Sequence, residues 1–165
     1  MLITVTAATV EPVTLAEAKA DLRMTHSEDD VLIGRLIASA RAIVEQWTGV
    51  SLAAATYQQT YGDSYGPLEV PLLPATVSSV THLTDNVRGV LAGYVADGVT
   101  GSIASGYGKS LVVEFTTAPG VIPAPLKSAI LLLVRREYEA DPDEQGKLWN
   151  TALACAHMYR RTLGV

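Results

Sequence analysis

The chain has 165 residues, of which 48% are hydrophobic and 18% charged, with twelve Lys and Arg against seventeen Asp and Glu. This length and composition predict a globular protein with a sizeable core and exclude a disordered chain. The formal net charge of −5 argues against a protein that grips nucleic-acid phosphates over a broad face, but it allows one that lets DNA slide past.

The N-terminal part predicts an extended arm over residues 1–13, because Pro12 disfavours helix before it. Thr14 and Glu17 then have the spacing of a capping box, in which each side chain binds the backbone amide of the other. A short helix is expected from there to about Leu22.

The most strongly patterned segment runs from Ser27 to Gly49 and predicts a long amphipathic helix. We expect Ser27 as its N-cap and Gly49 as its left-handed end. Its apolar stripe has two adjacent rows, namely Leu32, Leu36, Ile43 and Trp47 beside Ile33, Ile37, Ala40 and Val44. Burying these eight side chains at about 1.5–3 kcal/mol each contributes a gross ~10–20 kcal/mol, so this helix should centre the core.

Residues from about 52 to 118 change to strand and turn patterns. β-Branched and aromatic residues predict strands at 56–61, 77–84, 87–91 and 111–116, with a two-residue hairpin turn at Asp85-Asn86. In the last strand, Leu111, Val113 and Phe115 alternate and should share one face. Residues 98–109 contain four glycines and are expected to form a loop.

Helix returns after Pro123-Ala-Pro125, where a proline suits the first turn. One helix is predicted from Leu126 to Glu139, and a last one from about Asp143 to Thr162. The predicted fold class is therefore α+β, mainly α. Two N-terminal and two C-terminal helices form a four-helix body, a β-rich insert lies between helices 2 and 3, and the whole of 1–165 is a single domain.

Motifs for chemistry are weak throughout. IASGYGKS at 103–110 lacks the first glycine of a phosphate-binding loop, and Leu111 occupies the third glycine position of a dinucleotide fingerprint. His26, His82 and His157 do not have zinc-site spacing, and His82 is expected on the solvent face of a strand. The acidic clusters at 28–30 and 141–144 precede helices, where the helix dipole alone accounts for them. Cys155 is the only cysteine and fits a packing role. We therefore expect no catalytic residue, cofactor or metal.

Targeting and membrane signals are also missing from the pattern. The longest apolar run, 129–134, is far short of the ~20 residues that a membrane span needs. The first residues lack the basic region of a signal peptide, and a single cysteine fits a reducing compartment. No membrane association is expected.

The basic residues of the chain include two adjacent pairs, Arg135-Arg136 and Arg160-Arg161. Neighbours on a helix diverge by ~100°, so one arginine of each pair should face a partner and the other solvent. Tyr159 and Arg160, at the end of a largely apolar helix, resemble an interface anchor, and a bare surface role is the alternative.

Several segments together resemble the head–tail connector (adaptor) proteins of long-tailed phages, prophages and gene-transfer particles. The similar segments are EPVTLAEAKADLRM, DDVLIGRLIASARAIVEQWTG, VIPAPLKSAILLLVRREYE and the closing AHMYRRTLG. The middle of the chain matches more loosely, and residues 117–120 depart from the aromatic-bearing turn that the family more often has.

The resemblance implies a structural virion protein without enzymatic activity. Such adaptors form rings of roughly a dozen copies below the portal protein, extend the DNA channel, and give the stopper or tail-completion protein its platform. DNA would pass an acidic channel wall without specific binding. The expected partner interface comprises Arg135, Arg136, Tyr159, Arg160, Arg161 and Val165. The expected location is the head–tail interface of the virion, and the host cytoplasm during assembly.

Two alternatives stay open at this point. The first is another virion joining protein, such as a stopper or tail-completion protein. The second is a small enzyme that binds an anionic ligand at the Gly98–Lys109 loop, with Lys109 supplying the charge. A thermal shift with nucleotides or phosphosugars that disappears in Lys109→Ala would favour the enzyme.

Overall fold

A computed structural model describes residues 1–62, 64–65, 68–84, 87–90, 95–96, 102–104, 107–108, 110–138 and 141–161. The helices are α1 Leu15–Asp21, α2 Asp30–Thr48, α3 Ala124–Tyr138 and α4 Pro142–His157. The strands are β1 Leu2–Thr6, β2 Thr56–Thr60, β3 Ser64–Tyr65, β4 Leu68–Glu69, β5 Ala75–Thr84, β6 Val87–Val90, β7 Val95–Ala96, β8 Ser102–Ala104, β9 Tyr107–Gly108 and β10 Leu111–Thr117. The α+β, mainly α class is confirmed.

The chain divides into two compact units. The helical unit contains residues 11–52 and 120–161, with α1 to α4, and the strand unit contains 1–10 and 53–119, with β1 to β10. The insert between α2 and α3 supplies β2 to β10, as expected, but the N-terminal arm adds β1 to the same sheet. The assignment of 1–165 to a single domain stays a prediction.

Helix α1 begins with the predicted capping box. The Thr14 amide donates to the Glu17 carboxylate (2.7 Å), and the Glu17 amide donates to the Thr14 hydroxyl (3.2 Å). The bond from the Thr14 amide, followed by that from its hydroxyl, holds the pKa of Glu17 below its ordinary value. The prediction that Thr14 and Glu17 close the first turn is confirmed.

Helix α1 ends in a Schellman motif. The Met24 amide donates to the Lys19 carbonyl (2.9 Å) and the Arg23 amide to the Ala20 carbonyl (3.2 Å). This geometry places Arg23 in the left-handed region with φ 56°, where a side chain crowds its own backbone.

Arg23→Gly should therefore stabilise the protein by about 0.5–1 kcal/mol. Relief of a left-handed non-glycine residue contributes about 1–2 kcal/mol, and the greater freedom of glycine in the unfolded chain offsets about 0.5–1 kcal/mol of it. The Arg23 side chain is exposed, so little packing is lost. The midpoint of urea unfolding measures the effect. Arg23→Ala, which keeps the Cβ, should leave the midpoint nearly unchanged, and a lower midpoint in Arg23→Gly would contradict the assignment.

The start of α2 differs from the prediction, and Ser27 is not its N-cap. The helix begins at Asp30 after Asp29, which makes no side-chain capping bond, and the Asp30 amide binds the Ser27 backbone carbonyl (3.3 Å). The acidic side chains bind other helices instead. Asp29 accepts from the Tyr138 hydroxyl (2.8 Å), and Asp30 pairs with Lys19 (2.6 Å). Tertiary contacts have replaced the local cap.

The predicted end of α2 is confirmed, since Gly49 has φ 71° and its amide closes on the Glu45 carbonyl (2.8 Å). Of the two apolar rows, the one that is fully buried is Ile33, Ile37, Ala40 and Val44. In the other row, Leu36, Ile43 and Trp47 are partly buried, and Leu32 is exposed. The row that begins at Ile33 therefore faces the core, and the row that begins at Leu32 lies at the margin of the buried face.

The core of the helical unit is completed mainly by α3. Buried residues on α3 are Leu126, Ala129, Ile130, Leu133 and Val134, and α4 adds Ala152 and Ala156. Leu131 and Leu132 are half-buried, so the all-round apolar pattern of α3 corresponds to one buried face flanked by two partly covered positions.

A buried carboxylate lies beside this core. Glu45 is 3% exposed and accepts from Arg41 Nη1 (2.6 Å) and from the Leu52 amide (2.7 Å). Arg41 Nε donates in turn to the Glu11 carboxylate (2.7 Å). Through Arg41 and Glu45, these contacts connect α2 to the segment that precedes α1 and to the segment that follows α2.

The strand unit is organised around β10. The main sheet has the order β1-β2-β10-β5-β6 with antiparallel neighbours, and two small sheets have the orders β3-β9 and β4-β8-β7. The predicted face of β10 is confirmed, because Leu111, Val113 and Phe115 are fully buried. The Phe115 ring stacks on Tyr57 with centroids 5.6 Å apart.

The predicted loop at 98–109 is wrong where the structure describes it, because β8 and β9 fall within this range. β8 pairs with both β4 and β7, and its Ile103 is fully buried. β4 is distant from β8 in sequence, and neither pairing is visible in the local glycine content. Lys109 lies outside the described residues.

The hairpin of β5 and β6 is formed as expected, with Thr84 paired to Val87, while Asp85 and Asn86 lie outside the described residues. His82 is half-buried, not on the solvent face as expected. Its ring covers Gly89 on the neighbouring strand so closely that a Cβ on Gly89 would lie 2.6 Å from Cε1.

Candidate interface residues

The C-terminal tail differs from the sequence prediction because α4 ends at His157, not at Thr162. Two tight turns follow. The Tyr159 amide donates to the Ala156 carbonyl (3.0 Å), and the Arg160 amide donates to the His157 carbonyl (3.1 Å). Tyr159, Arg160 and Arg161 therefore lie on a short tail after the helix. Val165 lies outside the described residues.

The tail is attached to the C-terminal end of α2. The Arg161 amide donates to the Thr48 carbonyl (2.8 Å), and its guanidinium approaches the Gly49 carbonyl (3.5 Å). The Arg160 guanidinium lies 4.5 Å from the Trp47 ring centroid. Both cations lie where the helix dipole of α2 is negative, which favours this arrangement.

Exposure differs along this tail. Tyr159 is half-buried against the helical core, whereas Arg160 is exposed and the preceding Met158 is 76% exposed. An exposed methionine beside an exposed arginine gives the tail both apolar area and charge to present to a partner.

The second basic pair lies near the C-terminus of α3, and both of its arginines contact the chain itself. Arg135 pairs with the Asp21 carboxylate (3.0 Å) and donates to the Asp21 carbonyl (2.9 Å). Arg136 pairs with Glu137 and lies 5.0 Å from the ring centroid of Trp149. The expectation that one arginine points to solvent does not hold for this pair.

The predicted interface residues do not form one patch. The Tyr138 hydroxyl donates to Asp29, which places the end of α3 at the start of α2 and raises the pKa of Tyr138. The tail contacts the opposite end of α2. Because α2 has 19 residues, the pair Arg135-Arg136 and the tail pair Arg160-Arg161 are separated by roughly 27 Å along the axis of α2.

Each unit has exposed large apolar residues that the sequence analysis did not predict. In the helical unit they are Val31, Leu32, Val121 and Met158, and in the strand unit Met1, Leu2, Ile3, Val5 and Val10. Sequence patterns assign apolar side chains to a core by default, so exposure of this kind is visible only in the fold. The sequence signal for an exposed apolar strand was that the first ten residues combine β-branched side chains with no charged residue.

Acidic residues at the starts of α2 and α4 make structural contacts. Asp29 and Asp30 bind Tyr138 and Lys19, and the Asp141 carboxylate accepts from the Asp143 amide (3.0 Å) at the start of α4. Among the described residues, no three His, Cys, Asp or Glu side chains are grouped as metal ligands. Within the same residues, no helix combines the length and apolar character required to cross a bilayer.

Exposed apolar residues on an edge strand are typical of surfaces that associate with other proteins. The chain belongs to the phage gp6-like head-tail connector protein family, whose sequence profile matches residues 12–147. The resemblance drawn from the sequence is thus confirmed, and the protein has the role of a structural connector. No protein with a curated description matches the sequence.

The fold is similar to that of chains in solved gene transfer agent (GTA) particles. In the virion of the native particle the TM-score is 0.75 at 22% identity. In the neck of the empty particle, computed with C6 symmetry, it is 0.71 at 21%, and in the neck of the native particle with C12 symmetry it is 0.67 at 23%. Each comparison covers 100% of this chain and 98% of the other.

Proposed function

We propose that the protein forms a ring of roughly a dozen copies below the portal protein, extends the DNA channel, and provides the platform for the stopper and tail. The family match over residues 12–147 carries this proposal. The similarity over the whole chain to neck structures with C6 and C12 symmetry supports a cyclic arrangement. The site of action is the head–tail interface of the virion, after assembly in the host cytoplasm.

The charge of the chain supports a passive channel. With a net charge of −5, copies arranged in a ring would repel the phosphate backbone, so that DNA passes without a specific binding site.

We assign the portal contact to the tail, with Arg160 as its charged residue. Arg160 is exposed beside exposed Met158, whereas Arg135 and Arg136 are half-buried and engaged with Asp21, Glu137 and Trp149. The tail contacts at Trp47 and Thr48 hold these side chains in a defined position, which lowers the entropy cost of binding.

The experiment deletes the gene from its parent phage or prophage and complements it with variants. Deletion should yield heads that lack tails, and Arg160→Glu should fail to restore joined particles because it reverses the charge offered to the portal. Binding of purified Arg160→Glu to the portal protein should be at least about tenfold weaker than wild type.

Arg35→Glu is the matched control, since Arg35 is an exposed arginine on α2, away from the tail. It should restore joined particles and bind the portal normally. Both variants should have the thermal midpoint of the wild type to within a few degrees, because an exposed cation–π contact is worth only about 0.5–1 kcal/mol. Tailed particles after deletion would refute the connector ring. Normal portal binding by Arg160→Glu would refute only the tail assignment.

The alternatives gain no support from the structure. The segment proposed for an anionic ligand supplies β8 and β9, and Ile103 is buried in the sheet. A stopper or tail-completion role belongs to other joining proteins, and the match here is to a head-tail connector family.

A further inference from the structure

Strand β1 is an uncovered edge of the main sheet. It lies at the end of the strand order and pairs with β2 alone among the described strands. All five of its residues are exposed, including Leu2, Ile3 and Val5, so side chains on both faces are uncovered. Edge strands usually carry charges, prolines or bulges that prevent pairing with another chain. β1 has neither charge nor proline, and its register irregularity lies between Thr4 and Thr6, so the ladder is regular from Leu2 to Thr4.

The alternation of hydrogen bonds along the β1–β2 ladder shows which backbone groups of β1 point away from β2. The Met1 nitrogen and carbonyl exchange bonds with Thr60 (2.8 Å each), and the register continues with Leu2 opposite Gln59, Ile3 opposite Gln58 and Thr4 opposite Tyr57. Bonded and non-bonded pairs alternate in an antiparallel ladder. Ile3 therefore bonds to β2, while the amides and carbonyls of Leu2 and Thr4 point away from the sheet.

We propose that this free edge of β1, with Leu2, Ile3 and Val5, binds a second copy of the chain in a head-to-tail contact; the inference rests on the ring proposed above. Charge favours a second copy as the occupant. The chain carries a net charge of −5, but residues 1–10 contain no Asp, Glu, Lys or Arg, so two copies can approach there without like-charge repulsion.

The sheet also offers a complementary surface. Among the described strands, β1 lies at one end of the main sheet and β6 at the other. When β1 of one copy pairs with the β6 edge of the next, every copy makes the same two contacts, as a closed ring requires. Pairing of β1 with β1 would instead close at a dimer.

Thr4→Pro tests the contact in the full-length chain. Proline removes the outward amide of Thr4 without removing a bond to β2, and proline is tolerated on an edge strand. Oligomer mass is measured by native mass spectrometry and sedimentation velocity over a wide concentration range. We expect the apparent dissociation constant between copies to rise at least about tenfold in Thr4→Pro.

Thr4→Ala is the matched control, because it shortens the same side chain and keeps the amide; it should assemble like the wild type. Ile3→Lys is a second disrupting variant, since Ile3 is exposed and its replacement leaves the core intact. It places charge where the next copy docks, and should also weaken assembly. Circular dichroism verifies that each variant is folded.

Three results would overturn the proposal. They are unchanged assembly of both Thr4→Pro and Ile3→Lys, a wild-type chain that stays monomeric at every concentration, and a wild-type assembly that stops at a dimer. Complementation of the gene deletion separates this contact from the function. Joined particles with folded Thr4→Pro would refute the β1 contact alone, whereas tailed particles without any copy of the gene would refute the connector role.

Discussion

Arg41→Met should destabilise the protein by about 3–5 kcal/mol, the range for removing one partner of a buried ion pair. The Arg41 and Glu45 side chains are 11% and 4% exposed, and the substitution removes the 2.6 Å ion pair of the Glu45 carboxylate while that carboxylate stays in the core and keeps its bond from the Leu52 amide. It also removes the contact to Glu11. Urea unfolding followed by the fluorescence of Trp47 and Trp149 measures the loss, since both tryptophans lie in the helical unit.

Two controls make this result specific. Adding Glu45→Gln to Arg41→Met should recover part of the loss, because the neutral amide can still accept from Leu52 and no longer needs a cation. Arg35→Met makes the same chemical change at an exposed site on the same helix and should shift stability by less than about 0.5 kcal/mol. A loss below about 1 kcal/mol in Arg41→Met would show that the pair behaves as a solvent-screened surface bridge.

Phe115→Ala is expected to destabilise the strand unit by about 3–5 kcal/mol. Phe115 is fully buried at the centre of β10, and its truncation opens a cavity and removes the stacking on Tyr57. Urea unfolding followed by far-ultraviolet circular dichroism, with hydrogen exchange of the β10 amides, reports this loss.

The neighbouring position supplies the control for Phe115. Thr116 follows on the same strand and is exposed, so Thr116→Ala should change stability by less than about 0.5 kcal/mol. Equal effects of the two substitutions would contradict the buried position of Phe115, because they would mean that both faces of β10 are equally covered.

Features that depend on neighbouring residues were predicted correctly from the sequence. The capping box of Thr14 and Glu17, the left-handed Gly49 and the alternation of Leu111, Val113 and Phe115 are all confirmed. Each arises from interactions within a turn of helix or along one strand, where residue type and spacing are sufficient.

The errors occurred where distant parts of the chain compete with local preference. Ser27 lost its capping role because Tyr138 and Lys19 bind the acidic residues beside it. Helix α4 ended early because the Arg161 backbone binds the end of α2. The predicted loop contains β8 because β4 and β7 provide partners on both sides.

The candidate interface shows the same division. The sequence alone named the basic residues and the connector family, and the family is confirmed. Their positions came only from the fold, which separates Arg135 and Arg136 from the tail by the length of α2 and uncovers the edge of β1.

By itself, the sequence determined the helix and strand pattern, the acidic balance and the family, because these follow from composition, spacing and similarity along the chain. Only the tertiary structure decided which apolar residues are covered and which are exposed. Burial depends on what lies against a side chain, and in this chain contacting residues can be more than a hundred positions apart, as Arg135 and Asp21 show.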